Sequence, residues 1–352
     1  EFGTDLPALL TAARRQHGDV FTLVVAGKRL TFVLDPLDFP EVLRRVDDLG
    51  FDEIGEDISR QAFGNTRASE TPEVRLATHE NYAAHLKTAH LAPLSTGFGA
   101  RIDPLITALA TPDFTPRSLF DMVESAVFHA GTDALFGAGV ADPAALATFR
   151  RFDAVFQLLA AGVPARLLPG VLPAQRWLAA RVGALRPDAS DFVASRDAMF
   201  KRLLPAKDRP HLQLGILWAA HANTIPAAFW TLAHVLADPA AHATLRAEVD
   251  EVLATSDGAC GRDQLRRMLR LDSAVSEALR LASSSLTIRL VRRPIVLQLD
   301  SGGAWSLRQG DRVCLAPCVT HRDPELFPEP DRYRADRFLG AQFHKRGKKV
   351  GY

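Results

Sequence analysis

The chain has 352 residues with 42 basic and 41 acidic side chains, a net charge of +1. That balance sets up no overall field for nucleic acid or an anionic surface, so no nucleic-acid partner is expected. A chain 47% hydrophobic and 24% charged can build a sizeable core, whereas the cysteines at 260, 314 and 318 are too few for a disulfide framework and point to a reducing, intracellular compartment.

The opening "LPALLTAARRQHGDV" is amphipathic, and no uninterrupted run reaches the ~18 apolar residues of a membrane-spanning helix. The β-branched runs "FTLVVAG" (Phe21–Gly27) and "RLTFVLD" (Arg29–Asp35) flank Lys28 and predict a hairpin. From Pro36 to Leu286 the apolar residues recur mostly at helical spacing, punctuated by Gly- and Pro-rich stretches such as "GNTRASETPE" and "FGAGVADP". "HLQLGILWAAHANTIPAAFWTLAHVLAD" predicts one long helix over 211–238. At its centre stand His221, Asn223, Thr224 and Pro226. A proline there removes a backbone hydrogen bond and costs roughly 3 kcal/mol. "DPAAHATLRAEVDEVLA" follows with an Asp cap and Pro at the first helical position.

"LDSAVSEALRLASS" (Leu271–Ser284) predicts a further helix. "IRLVRRPIVLQLD" and "WSLRQGDRVCLAP" then read as strands, and "RDPELFPEPDRYRADRFL" as a proline-rich meander. The fold class expected is mainly α with a small β portion built from both ends of the chain. That closure predicts a single domain over 1–352.

Several apparent sites fail on spacing. "HENYAAH" sets its histidines six apart, where a zinc helix needs four. "HRD" at His321–Asp323 lacks both the Asn and the Gly-rich loop of a kinase. Cys314 and Cys318 are expected on one face of a hydrophobic strand region, as inert buried thiols. Glu277 and Arg280 stand three apart on an apolar helix and can pair. If buried, the pair needs more partners, and Arg337 of the meander is the third member expected.

In this order and spacing, the long central helix, "EALR" and "LFPEPDRYRADRFL" resemble the cytochrome P450 superfamily over nearly the whole chain. "LWAAHANTIPAAFW", "LRLASSSLTIR" and "HGDVFTLVVAGK" resemble the branch of cholesterol 7α-hydroxylase, sterol 12α-hydroxylase and prostacyclin synthase. The resemblance implies a cytochrome P450 fold and heme b, with Arg289 on a haem propionate. Asn223 and Thr224 would face the distal pocket as the catalytic pair, and Glu277, Arg280 and Arg337 would form a structural lock. It further implies a monooxygenase that hydroxylates a sterol-like or other lipophilic substrate with O2 and electrons from a redox partner, a reductase or a ferredoxin. A reductase-independent lipid-peroxide isomerase or dehydratase and a haem-free lipid-binding protein stand as alternatives. Residues 145–205 would roof the pocket, with Phe149, Phe152 and Phe156 as lining candidates beside their plain reading as core.

The family's loop F-x-x-G-x-x-x-C-x-G, whose cysteine thiolate ligates iron, does not occur in the sequence. The expectation is a fragment whose cysteine ligand lies beyond Tyr352, or else a haem-less relative, and a chain inactive on its own. Membrane association through a missing N-terminal anchor would place the protein on the endoplasmic reticulum if eukaryotic. A bacterial form would be cytoplasmic.

Overall fold

A computed structural model describes residues 5–87, 90–109, 116–256 and 260–351. The chain divides into two compact units. One combines Glu1–Gly55, His234–Glu248 and Met268–Tyr352; the other combines Glu56–Ala233 and Val249–Arg267. The fold is mainly helical with small sheets, as the sequence pattern predicts.

The first unit carries the sheets. Strands β1 (Val20–Val25) and β2 (Lys28–Val33) form the expected hairpin. Its two-residue turn, Ala26-Gly27, has φ of 48° and 77° at its two positions, the positive values a right-twisted hairpin requires. With β3 (Leu49–Gly50), β4 (Thr287–Val291), β5 (Ile295–Gln298), β6 (Ala304–Leu307) and β7 (Arg312–Leu315), a five-stranded sheet of order β1-β2-β7-β4-β3 and a separate β5-β6 ribbon form. Strand β2 runs parallel to β7, so the start of the chain is stitched to residues nearly three hundred positions later. Strands β8 (Phe343–Lys345) and β9 (Lys348–Val350) add a last hairpin.

Side chains alternate across the sheet, and both faces are covered. Phe21, Leu30 and Phe32 pack with Cys314, Ala316 and Cys318 on one face. Val33, Leu49, Val291, Val313 and Leu315 pack on the other. Cys314 and Cys318 are both buried, as expected. Cys318, however, lies on the short helix Pro317–Thr320 and not on a strand, because Pro317 cannot donate to a ladder and starts a helical turn instead. Helix Leu269–Ala282 belongs to this unit, and at its N-terminus the Glu248 carboxylate accepts from Arg270 N and Leu271 N, both at 2.9 Å. A negative charge there complements the helix dipole.

The second unit is helical. Its helices Leu119–Phe136, Pro143–Asp153 and Asp191–Leu203 start at Ser118, Asp142 and Ser190, whose side chains accept from backbone N–H groups of their first turns. These caps satisfy donors that a helix end leaves unpaired. Phe128, Phe149, Phe152, Leu214, Leu217 and Ile225 lie at the centre of its core. Phe149 and Phe152 are therefore core side chains, while Phe156 is half-buried and stacks on Trp218 at 3.7 Å.

The long helix expected over 211–238 is interrupted. One helix runs Arg209–His221 and a second runs Thr224–Ala237, with Ala222 and Asn223 between them. Pro226 is the cause. It has no N–H to give the Ala222 carbonyl, so the ladder skips one rung and restarts where Ala227 N donates to Asn223 O at 3.1 Å.

Candidate active site

In the helical unit, the residues before the break form a buried face. Leu214, Leu217, Trp218 and His221 recur at i, i+3, i+4 and i+7. His221 is 1% exposed, and its Nε2 lies 2.9 Å from Thr132 Oγ1. Its ring packs against Phe128 at 4.9 Å and Phe149 at 5.8 Å. Gly131 makes this approach possible, since a Cβ there would lie 2.7 Å from His221 Cε1. Burial lowers the His221 pKa to about 4, so the ring is neutral near pH 7. Trp218 Nε1 donates to Asp153 Oδ1 at 2.9 Å, and burial raises the pKa of that carboxyl.

Directly after this anchored segment, Asn223 and Thr224 are exposed, and neither side chain has a hydrogen-bond partner among the described residues. The break thus delivers an amide and a hydroxyl that the helical unit does not itself consume. Asn offers a donor and an acceptor, and Thr a hydroxyl capable of both.

In the first unit, Glu277, Arg280 and Arg337 come together. Arg280 donates to both Glu277 oxygens, at 2.7 and 2.8 Å, and Arg337 Nε donates to Glu277 Oε1 at 2.8 Å. Glu277 is 0% exposed and Arg280 2%. The remaining guanidinium donors are taken by carbonyls. Arg280 reaches His321 O and Pro330 O, and Arg337 reaches Pro328 O, Glu329 O and Arg332 O. A buried ion pair is stabilising only when its leftover donors are satisfied in this way.

Five further contacts, made by Arg334, Ser273 and Tyr333, extend this lock beyond what the motifs imply. Arg334 N donates to Glu277 Oε1 at 3.1 Å. Ser273 Oγ donates to Ala335 O at 2.7 Å and accepts from Phe338 N at 3.0 Å. Tyr333 stacks on His234 at 4.6 Å and donates to Ala274 O at 3.3 Å. Burial, followed by the charges of Glu277 and Asp238, pushes the Tyr333 phenol up to about 12. Ser273, Glu277 and Arg280 stand at i, i+4 and i+7 on one helix face, and that spacing was the available signal.

Arg289 sits half-buried on β4. Its Nη1 donates to Ile288 O at 3.2 Å and its guanidinium lies 5.7 Å from the Phe51 ring. Neighbouring arginines are neutralised: Arg292 pairs with Glu53 and Asp52, and Arg293 with Asp48. Arg289 has no carboxylate among the described residues. A fixed, uncompensated cation of this kind fits the propionate of a haem.

The iron end does not find a matching ligand. Burial pushes the Cys314 thiol up to about 12 and also raises Cys318, the opposite of what a thiolate ligand needs. Cys260 is exposed and stands in no F-x-x-G-x-x-x-C context. Among the described residues no group of three His, Cys, Asp or Glu side chains is arranged to hold a metal ion. Tyr352, the position beyond which the ligand was expected, lies outside the described residues.

Comparison with known proteins gives the family. The profile of the family described as Cytochrome P450 matches residues 201–352. Cytochrome P450 7B1 of Mus musculus is 31% identical, over 99% of this chain and 74% of its own length. Cholesterol 7-alpha-monooxygenase of Cricetulus griseus is 30% identical, over 100% and 77%. The 7-alpha-hydroxycholest-4-en-3-one 12-alpha-hydroxylase of Oryctolagus cuniculus is 28% identical, over 99% and 76%. With the profile match and with relatives 30% and 31% identical over nearly the whole chain, the chain belongs to the cytochrome P450 family.

Proposed function

We propose that the protein is a sterol-directed monooxygenase, a single P450-type domain that inserts one oxygen atom of O2 with two electrons from a redox partner. The substrate class is carried over from the relatives, one named a 7-alpha-monooxygenase of cholesterol and another a 12-alpha-hydroxylase of 7-alpha-hydroxycholest-4-en-3-one. The observation that carries the reading is the helix break at Ala222–Asn223, which leaves Asn223 and Thr224 exposed and unconsumed. Haem b, when bound, supplies the activation of dioxygen.

The chain's own residues would then divide the work. Arg289 would hold a propionate. Glu277, Arg280 and Arg337 would fix the meander against helix Leu269–Ala282. Asn223 and Thr224 would orient a substrate oxygen or an ordered water; neither ionises near neutral pH, so protons would move through water at these groups. Among the described residues no helix is long and apolar enough to cross a membrane.

The test is sterol turnover by the native gene product under 18O2 with a reductase and NADPH. One 18O per hydroxylated product, dependent on the electron donor, is the expected result. Isomerised or dehydrated product from a lipid-peroxide substrate without any electron donor overturns the reading. We further infer that none of the three cysteines ligates iron, so the 352-residue chain mixed with haem, reduced and exposed to CO gives no red-shifted thiolate band. Appearance of that band, and its loss in Cys314→Ala or Cys318→Ala, would refute this.

A further inference from the structure

Thr132 and His221 meet at the centre of the helical unit in a way that weakens the fold locally. Both are 1% exposed, and the 2.9 Å hydrogen bond between Thr132 Oγ1 and His221 Nε2 satisfies only one ring nitrogen. Nδ1 is buried with no hydrogen-bond partner among the described residues, and an unmatched buried polar group is destabilising. Gly131 is a second weakness. Glycine disfavours a helix interior, yet it stands inside helix Leu119–Phe136, where a Cβ would come within 2.7 Å of the imidazole. Two apolar side chains of the same shape would fill this space with neither penalty. What the polar pair adds is direction, since a hydrogen bond fixes distance and angle where apolar packing tolerates sliding and rotation.

Direction matters at this point of the chain. His221 is the last residue of helix Arg209–His221, and Pro226 leaves the Ala222 carbonyl without its rung. The main chain therefore enters the break with less support from its own ladder. One turn earlier, Trp218 donates to Asp153 at the end of helix Pro143–Asp153. The helix end is thus pinned to two different helices by residues three apart, which fixes both its advance along the axis and its rotation about it. Ala222 keeps right-handed helical angles, φ −57° and ψ −32°. Two steps of about 100° then carry Asn223 to the side away from His221. In agreement, His221 is buried while Asn223 and Thr224 are exposed. Any rotation of the helix end swings both of them.

We propose that His221, held by Thr132, is a positioning residue that sets the direction in which Asn223 and Thr224 project from the break. This rests on the role given to those two residues under the proposed function. His221 acts only through them, because its own burial keeps it from substrate.

Two measurements test the proposal. Amide hydrogen exchange at Ala227, whose N–H donates to Asn223 O, reads the geometry of the break on the full chain without haem or turnover. Sterol hydroxylation by the native gene product reads its consequence. Thr132→Val combined with His221→Leu removes both polar groups together, so the urea midpoint should stand at or above the parent's. Exchange at Ala227 should nevertheless quicken about fivefold, the worth of one neutral hydrogen bond. The kcat should fall by a similar factor with KM unchanged. His221→Gln, which can still reach Thr132, should match the parent. Gly131→Ala displaces the ring but leaves both polar groups, and it should quicken exchange like the double variant. In an Asn223→Ala background the double variant should lower kcat no further, since residues that act through one another are not additive. Parent-like exchange in the double variant, exchange that follows the urea midpoint across the variants, or a kcat loss that adds to that of Asn223→Ala each overturns the proposal. A gene product that hydroxylates no sterol defeats the monooxygenase reading, and exchange alone then decides the positioning. Parent-like exchange beside normal hydroxylation defeats the positioning only.

Discussion

At the scale of single residues, the two buried polar centres respond differently to perturbation. Glu277 is enclosed with two arginines whose other donors are already committed to carbonyls. Glu277→Ala therefore strands two buried cations, and a loss of about 3–5 kcal/mol is expected, read as a lower urea midpoint. A loss below about 1 kcal/mol would mean that the arginines find replacement partners. His221 is instead sensitive to pH. Its pKa is about 4 in the folded chain, against about 6.5 unfolded. The unfolded chain thus binds the extra proton between these values. The associated stability is fully present above pH 6.5 and is lost as pH falls towards 4, amounting to about 3 kcal/mol. His321 is also lowered to about 4, by burial first and then by the Arg280 charge, so it adds to the same acid-side loss. Urea melts at pH 7 and pH 4.5 should show His221→Gln losing less stability than the parent across that interval, because one of the two groups no longer titrates. Equal losses would remove His221 from the account.

At the scale of elements, legibility in the sequence depended on how local the deciding interaction was. The first hairpin was readable because two β-branched runs face each other across a short turn. The Glu277–Arg280 pair was readable from spacing along one helix, and its third partner from the resemblance of the meander. Ser273, Tyr333 and the backbone of Arg334 were not read, because their contacts depend on how an irregular segment folds back over a helix. The break at Ala222–Asn223 was half-readable. Pro226 gave the cause, but hydrophobic periodicity runs unbroken through the segment and favoured one continuous helix. Pro226→Ala separates the two influences. Restoring an N–H for the Ala222 carbonyl should fuse the helices and deepen the 222 nm circular-dichroism signal. Stability should change by no more than about 1 kcal/mol, because the new hydrogen bond is offset by a more flexible unfolded chain. Turnover by the native gene product should fall as Asn223 and Thr224 are drawn into regular helix. An unaltered signal with unaltered turnover would show that the break does not depend on the proline.

At the scale of the whole chain, the two units differ in how their sequence is gathered. The fully buried members of the helical unit's main core cluster run from Ala62 to Ile225, a continuous stretch whose contacts are within reach of local folding. The sheet unit has no such stretch. Strand β7 finds one partner in β4 and the other in β2, with Cys314 opposite both Ile288 and Phe32. Its inner face is completed by Leu10, Phe21 and Leu30 from the start of the chain. Composition and periodicity showed that strands come from both ends, but not which strand lies beside which, since a parallel pairing across such a separation leaves no local mark. The asymmetry has a measurable consequence. Residues 56–233 expressed alone should fold, with a cooperative urea transition and dispersed amide NMR signals, because nearly all of their apolar core travels with them. Residues 268–352 alone should not, because β4 and β7 would expose their unpaired edges and one bare sheet face. Adding residues 5–55 in trans should restore dispersed strand signals to the second fragment, if β2 is what its sheet lacks. A cooperative transition in 268–352 without that complement would refute the dependence and give the late strands a core of their own.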